Sequence, residues 1–408
     1  MKRAALRGLG CMTASFAVLI LTASLASAAS PPPETEPTLR TDDFRALPPL
    51  QGPNYTIEST VPVSGFEGQF TLKTDLGSVK ADGSDILHQR VKEVAAANAL
   101  DKMSSSDVFV AALAKSTSQS AEAVGRAVTH PVDTLEGVPS GIGRFFGSIK
   151  DKVDDTVSDD SSQGVTENVS DALGIGKARR QLAHQVGVDP YTTNPIVSTR
   201  LDSLSKAAFA GGVSLDVAFA VATAGAATAI SFTKTVSDLA WQLPPEDIRE
   251  RNQANLAALE VSPSTSNALL NNRIYSPTMA LAFVEALKAL GVKDGAGAFT
   301  QLAASAVTET EARFYINQLR MANAYKKQER IEKVEVAGKV GTMRAGSRLF
   351  VPMPVDYLSW TEGVRKAVEG KDFGAGERVV WLTGTTSLRA REGLREARWT
   401  VRDYAPLD

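Results

Sequence analysis

The stretch Arg378-Val-Val-Trp-Leu-Thr-Gly-Thr-Thr-Ser-Leu-Arg-Ala-Arg-Glu-Gly-Leu-Arg-Glu-Ala-Arg-Trp-Thr-Val-Arg402 decides the fold. Arg378–Leu382 is a short β-branched and aromatic run, and Gly384 closes it. Leu388–Ala397 follows as a helix, and Trp399–Arg402 returns to a strand pattern. A strand, a helix and a strand in that order predict parallel pairing in an α/β unit. Just upstream, Val334–Val340 and Arg348–Val355 read as strands around Gly341 and Gly346, and Tyr357–Glu369 reads as a helix.

Further upstream, residues 170–330 carry helical periodicity throughout. Ser276 caps a helix with Pro277 at its first position, and Leu281, Val284, Leu287 and Leu290 form one apolar face before Gly291. Thr308-Glu309-Thr310-Glu311 is a capping box for the next helix. Pro244 and Pro245 open another, with Glu246 and Asp247 in its first turn. Residues 54–82 show period-two alternation around Ser64-Gly65 and Glu67-Gly68, so they predict an antiparallel meander, with Pro62 on an edge strand. Ser84 or Asp85 can cap the helix that follows, and Ser105 or Ser106 the one after. The predicted class is α+β: a small N-terminal antiparallel β-meander, a large all-helical middle and a small C-terminal α/β unit. The boundaries expected are a signal peptide at 1–28, a Pro-rich linker at 29–53, the meander plus helices at 54–168, the helical domain at 169–330 and the α/β domain at 331–408.

The first residues read as an export signal. Lys2, Arg3 and Arg7 precede an apolar core from Phe16 to Leu25, and Ala26-Ser27-Ala28 is a cleavage site. Cleavage there removes three cations and no acid, taking the formal net charge from −2 to −5. It also removes Cys11, the single cysteine, so the mature chain excludes disulfides, zinc-thiolate sites and cysteine nucleophiles. Seven prolines between Pro31 and Pro53 predict an extended spacer. With 43% hydrophobic and 22% charged residues the remainder is globular, and its near-balanced charge argues against nucleic-acid binding.

Catalytic signatures are missing from the sequence. There is no G-x-S-x-G, Walker A or H-E-x-x-H pattern, and Gly141–Gly147 misses a dinucleotide fingerprint by one residue. A calcium loop before Gly164 lacks its closing glutamate. No cofactor or metal is therefore expected. The weak catalytic candidates are His184, Asp189 and Tyr191, a cluster able to move protons near neutral pH, against the plainer reading of a helix residue and a turn. The turn Gly384-Thr385-Thr386-Ser387 with Arg389 is a candidate anion site, because N–H groups and hydroxyls converge at a helix N-terminus. The same residues also serve ordinary capping. Residues 207–233 are apolar and small, with Asp216 their only charge, which suits a buried helix better than a membrane span. Ile142, Phe145, Phe146, Ile149 and Val153 form an amphipathic stripe that favours a core over a membrane surface.

The segments Gly137–Phe146 (GVPSGIGRFF), Val186–Pro195 (VGVDPYTTNP) and Trp381–Gly384 (WLTG) are similar to those of a group of uncharacterised exported bacterial proteins. That resemblance implies export and supplies no site residues. The expected role is a non-catalytic envelope or secreted binding or structural protein, its envelope or protein partner unidentified. The alternatives are a ligand binder or enzyme using the Gly384–Ser387 turn, and a membrane-associated protein using residues 207–233.

Overall fold

The computed structural model describes residues 30–105, 162–211, 232–370 and 376–407. The export signal, the second capped helix from Ser106, the 142–153 stripe, the GVPSGIGRFF segment, the calcium-loop candidates before residue 162 and most of residues 207–233 lie outside them. The described residues form an α+β fold with an antiparallel sheet first, a helical middle and a mixed C-terminal sheet.

The N-terminal sheet is built from β1 (Thr38–Arg40), β2 (Gln51–Gly52), β3 (Tyr55–Ile57), β4 (Thr60–Ser64), β5 (Glu67–Thr74) and β6 (Gly77–Asp82). All pairings are antiparallel. The long β5 is the hub: it holds β6 along one edge and β4, then β3, along the other. Alternate residues Phe70 and Leu72 point into a core shared with Ile57, Val61 and Ala81. Helix α1 (Ser84–Ser104) lays Ile86, Leu87 and Val94 on that core. Its N-cap is Gly83, not a serine or aspartate side chain. The hydroxyl of Ser84 is directed elsewhere, to Asp356.

Two long helices, α2 (Ser162–Val186) and α3 (Pro195–Gly211), pack against the back of α1 through Leu182, Val186, Val197, Leu201 and Leu204. The Val186–Pro195 segment is the turn between them. The middle continues with α4 (Lys234–Gln242), α5 (Pro245–Ala258), α6 (Pro263–Leu270), α7 (Pro277–Leu290), α8 (Ala296–Ala303) and α9 (Glu309–Lys326). Capping is as the sequence reads: Ser276 Oγ accepts the Met279 N–H at 3.1 Å, and Thr308 Oγ1 accepts that of Glu311 at 3.1 Å. The Glu311 carboxylate returns to the Val307 N–H at 2.8 Å.

The C-terminal sheet has strands β7 (Lys333–Ala337), β8 (Val340–Ala345) and β9 (Arg348–Met353), the short β10 (Tyr357–Leu358), helix α10 (Glu362–Glu369), then β11 (Arg378–Leu382), the short β12 (Thr385–Thr386), helix α11 (Leu388–Glu396) and β13 (Trp399–Arg402). Its order is β13-β11-β9-β8-β7, with β9, β11 and β13 parallel as predicted. Both faces are covered, which is why β11 is apolar without alternation. Val379 and Trp381 face the helical core, while Val380 and Leu382 face Trp360, Leu394 and Trp399. The run Val334–Val340 is broken by a hairpin turn at Gly338, and the helix expected from Tyr357 starts only at Glu362.

The Pro-rich segment is not a free spacer. Its chain lies docked on the C-terminal unit: the Trp360 indole N–H donates to the Pro31 carbonyl at 2.9 Å, and the Glu34 N–H donates to the Trp360 carbonyl at 2.9 Å. Glu34 also accepts the Trp360 N–H at 2.7 Å and the Ser387 hydroxyl. The segment then becomes β1 and pairs with β4, so Pro62 lies in an internal strand between β1 and β5 and not at the edge expected from its sequence. Proline's fixed extended backbone lowers the entropy lost on such docking.

Candidate functional site

A carboxyl cluster forms where the N-terminal sheet, the start of α1 and the β9–β10 loop meet. Asp356 is buried, and its Oδ2 accepts the N–H groups of Gly68 at 3.0 Å and Ser84 at 2.9 Å. Its Oδ1 accepts the Ser84 hydroxyl at 2.5 Å. Glu67, at the start of β5, is buried in the same cluster, next to Gly68, whose N–H reaches Asp356. Burial holds the Glu67 carboxyl well above the usual range, and the charges of Asp356 and Asp85 add to the effect. Burial raises Asp356 as well, against the hydrogen bonds from Ser84 and Gly68. Asp356 also lines a small cleft with Asp43, Phe44, Arg45, Thr383, Gly384 and Tyr404. The Arg45 guanidinium lies 4.9 Å over the Tyr404 ring at this opening.

The Gly384–Ser387 turn forms one side of that cleft. Its N–H groups are already engaged: Gly384 donates to Val355 O at 2.8 Å, Thr385 to Asp356 O at 3.0 Å and Ser387 to Leu358 O at 3.0 Å. These bonds pair β12 with β10 in parallel. The Ser387 hydroxyl accepts the Ala390 N–H at 2.9 Å as an N-cap, and Arg389 reaches the Pro33 carbonyl at 3.4 Å. Among the described residues the buried Thr386 Oγ1 finds no hydrogen-bond partner. The turn's main-chain donors thus hold the fold together. Glycine is required at 384 by close approach: a Cβ there would sit 1.8 Å from the Asp356 carbonyl oxygen.

The second polar centre lies under the Val186–Pro195 turn. Glu93 of α1 is fully buried and accepts from Gln89 Nε2 at 3.0 Å, Arg90 Nη1 at 3.2 Å, Thr192 Oγ1 at 2.6 Å and Asn194 Nδ2 at 2.8 Å. Thr193 Oγ1 donates to Glu309 Oε1 at 2.8 Å, and Arg313 Nε donates to the same oxygen at 2.8 Å. Arg313 and Arg90 hold the Glu309 carboxyl below the usual range in spite of its burial. The turn therefore ties α1 to α9 through compensated buried charge.

The three proposed catalytic residues do not converge. His184 is exposed and sets its ring edge-to-face on Trp241, with centroids 4.7 Å apart. Asp189 is buried; its Oδ1 accepts the Thr278 hydroxyl at 2.6 Å and the Tyr191 N–H at 2.9 Å. Burial lifts the Asp189 carboxyl to about 6 and the Tyr191 phenol to about 12. No hydrogen bond joins His184 to Asp189 among the described residues.

Among the described residues no group of three or more His, Cys, Asp or Glu side chains is placed to hold a metal ion. Nor is any described helix long and apolar enough to cross a membrane. Comparisons with protein-family models, curated proteins and solved structures find no match. The carboxyl cluster of Glu67, Asp85 and Asp356 is not legible in the sequence, since its members lie up to 289 positions apart and share no spacing. A faint signal is present: Glu67 opens a strand that is buried along most of its length, and Asp356 follows an apolar β9.

Proposed function

We propose that this is an exported, non-catalytic protein with a binding or structural role in the cell envelope or outside the cell. The N-terminal Lys2–Ala28 pattern and the resemblance of three segments to exported proteins support export. The observation that carries the non-catalytic reading is the internal use of the buried ionisable groups. Glu93 accepts four hydrogen bonds, Asp356 accepts three and Glu309 is held by two arginines and Thr193. A general acid, base or nucleophile needs a lone pair or proton directed at a reactant. Here those lone pairs are directed at other parts of the chain, where they join elements distant in sequence.

Cell fractionation with mass spectrometry of the N-terminus tests the first half. A chain beginning at Ala29 outside the cytoplasm is expected, and an intact Met1 inside it overturns export. Incubating the purified mature chain with ester, peptide and phosphoester probes tests the second half. No turnover is expected; turnover lost in Asp356→Asn or Asp189→Asn would overturn it.

A further inference from the structure

We propose that the groove formed by Trp360, Ser387 and Arg389 on the C-terminal unit is a binding site for a proline-rich acidic peptide of a partner protein, and that Pro31–Glu34 of this chain cover it as a displaceable stand-in. The inference rests on the binding role proposed above and gives that role a site and a ligand class. The chemistry the groove reads is shown by its present occupant. The Trp360 indole N–H donates to the Pro31 carbonyl at 2.9 Å, and the Trp360 main chain pairs with Glu34, its N–H to the carboxylate at 2.7 Å and its carbonyl to the Glu34 N–H at 2.9 Å. Ser387 donates its hydroxyl to the same carboxylate, and Arg389 reaches the Pro33 carbonyl at 3.4 Å. A ring N–H on the carbonyl of an extended proline run is how aromatic-lined grooves take polyproline segments. A carboxylate at the first turn of α11 also meets the positive end of the helix dipole. The anion expected at the Gly384–Ser387 turn is thus present, and it belongs to the chain itself. Glu36 adds a second carboxylate to the same line, held by the Gly65 and Phe66 N–H groups at 3.1 and 2.6 Å.

Two further observations separate a stand-in from a permanent strut. The receptor is rigid and the occupant is lightly held. Trp360 is fully buried in the core with Leu358, Leu382 and Leu394, and its ring lies so close on Gly393 that a Cβ there would stand 2.4 Å from it. Between residues 30 and 40 only Pro31 is buried; Pro32, Pro33 and Thr35 are exposed, and β1 is three residues long. A segment with so little apolar burial opens locally at low cost, and opening bares the Trp360 and Ser387 donors in a preformed groove. The groove also offers more than the arm uses. The hydroxyls of Ser359 and Thr386, next in sequence to Trp360 and Ser387, are buried and find no partner among the described residues. A buried hydroxyl left unpaired is costly, so an occupant whose polar atoms reach these two gains over Pro31–Glu34.

The full mature chain and a fluorescent peptide copying residues 30–37, Ser-Pro-Pro-Pro-Glu-Thr-Glu-Pro, test this. The peptide holds no lysine or arginine, so trypsin leaves it intact while cutting the protein after Arg40. In the wild type, excess peptide should displace the arm and speed cleavage after Arg40 about fivefold or more. Glu34→Ala loosens the arm and leaves the groove unaltered, so by fluorescence anisotropy the peptide should bind that variant about tenfold or more tightly than it binds the wild type. A peptide with glutamine in place of its first glutamate should bind about tenfold more weakly. If Glu34→Ala does not fold, the wild-type cleavage assay with the two peptides decides alone. Unchanged cleavage in the wild type, equal affinity of the two folded proteins, equal effect of the two peptides, or a wild-type dimer that the peptide dissociates would each overturn the proposal; in the last case the groove serves a second copy of the chain. None of these readouts measures turnover or location, so their failure would leave the exported, non-catalytic reading to its own tests.

Discussion

Replacing Glu93 by Gln probes the charge centre that fixes α1, α9 and the Val186–Pro195 turn together. The substitution keeps shape and volume but turns one carboxylate oxygen into an NH2 group. Each oxygen of Glu93 now faces two donors, Gln89 and Thr192 at Oε1 and Arg90 and Asn194 at Oε2. Whichever way the amide turns, it sets donor against donor and leaves Arg90 without its closest carboxylate. Stranding a buried donor costs about 1–3 kcal/mol, and removing one partner of a buried pair costs about 3–5 kcal/mol. Because these overlap, the expected loss is about 3–5 kcal/mol, a large share of the roughly 5–15 kcal/mol that holds a domain folded. Guanidinium unfolding of the mature protein measures it. The double variant Glu93→Gln with Asn194→Asp moves the carboxylate to the turn, where it meets the new amide and still accepts the Ile196 N–H, as Asn194 Oδ1 does at 3.1 Å. A coupling of about 1–3 kcal/mol in favour of the double variant is expected. A single variant within about 1 kcal/mol of wild type, or two effects that merely add, would refute the assignment of Glu93 as the centre.

Three further outcomes follow from named contacts. Asp189→Asn retains the oxygen that accepts from Thr278 and Tyr191 but cannot ionise. Since the folded carboxyl sits at about 6, wild-type stability should fall as pH rises from about 4 to about 6, by roughly 3 kcal/mol in total, while the variant stays level through that window; unfolding curves at pH 4 and 7.5 decide. Trp360→Phe removes the donor to Pro31 and should cost about 1–3 kcal/mol, with faster proteolytic clipping ahead of Thr38 as its marker. Gly384→Ala forces a Cβ to 1.8 Å from the Asp356 carbonyl and strains both the Gly384 and Thr385 main-chain bonds, so thermal melts should show a loss of at least about 2 kcal/mol; an unchanged melt would mean the turn is not packed as described.

Local chemistry was legible, and long-range chemistry was not. Arg378–Leu382 and Trp399–Arg402 were read to the residue because their β-branched and aromatic side chains are bounded by Gly384 and by a capped helix. Ser276 with Pro277, and Thr308 with Glu311, announce helix starts within four positions. The docked segment could not be read in this way: proline density encodes extended backbone, and whether that backbone floats or binds depends on Trp360 and Glu34, which sit 326 positions apart. The same holds for the carboxyl cluster. His184, Asp189 and Tyr191 are neighbours along the chain, but the helix end and the turn direct them to Trp241, Thr278 and the interior in turn. The Val186–Pro195 segment is legible as a turn; that its Thr192, Thr193 and Asn194 donate to the buried carboxylates of Glu93 and Glu309 could not be seen without α1 and α9 beside it.

The docking of Pro31–Glu34 on Trp360 and Ser387 also sets the order of events at birth. A ribosome delivers the N-terminal end first, at about 5–20 residues per second. The partner of the Pro31 carbonyl lies 329 positions later, and that of the Glu34 carboxylate 353 positions later. For roughly 20 to 70 s of synthesis Pro31–Glu34 therefore has nothing to dock on. Such distant contacts also slow the closing step itself, because the loop entropy must be spent before they form. A nascent chain of this design keeps Pro31–Glu34 undocked until almost the whole sequence has been made, a state compatible with the proposed export.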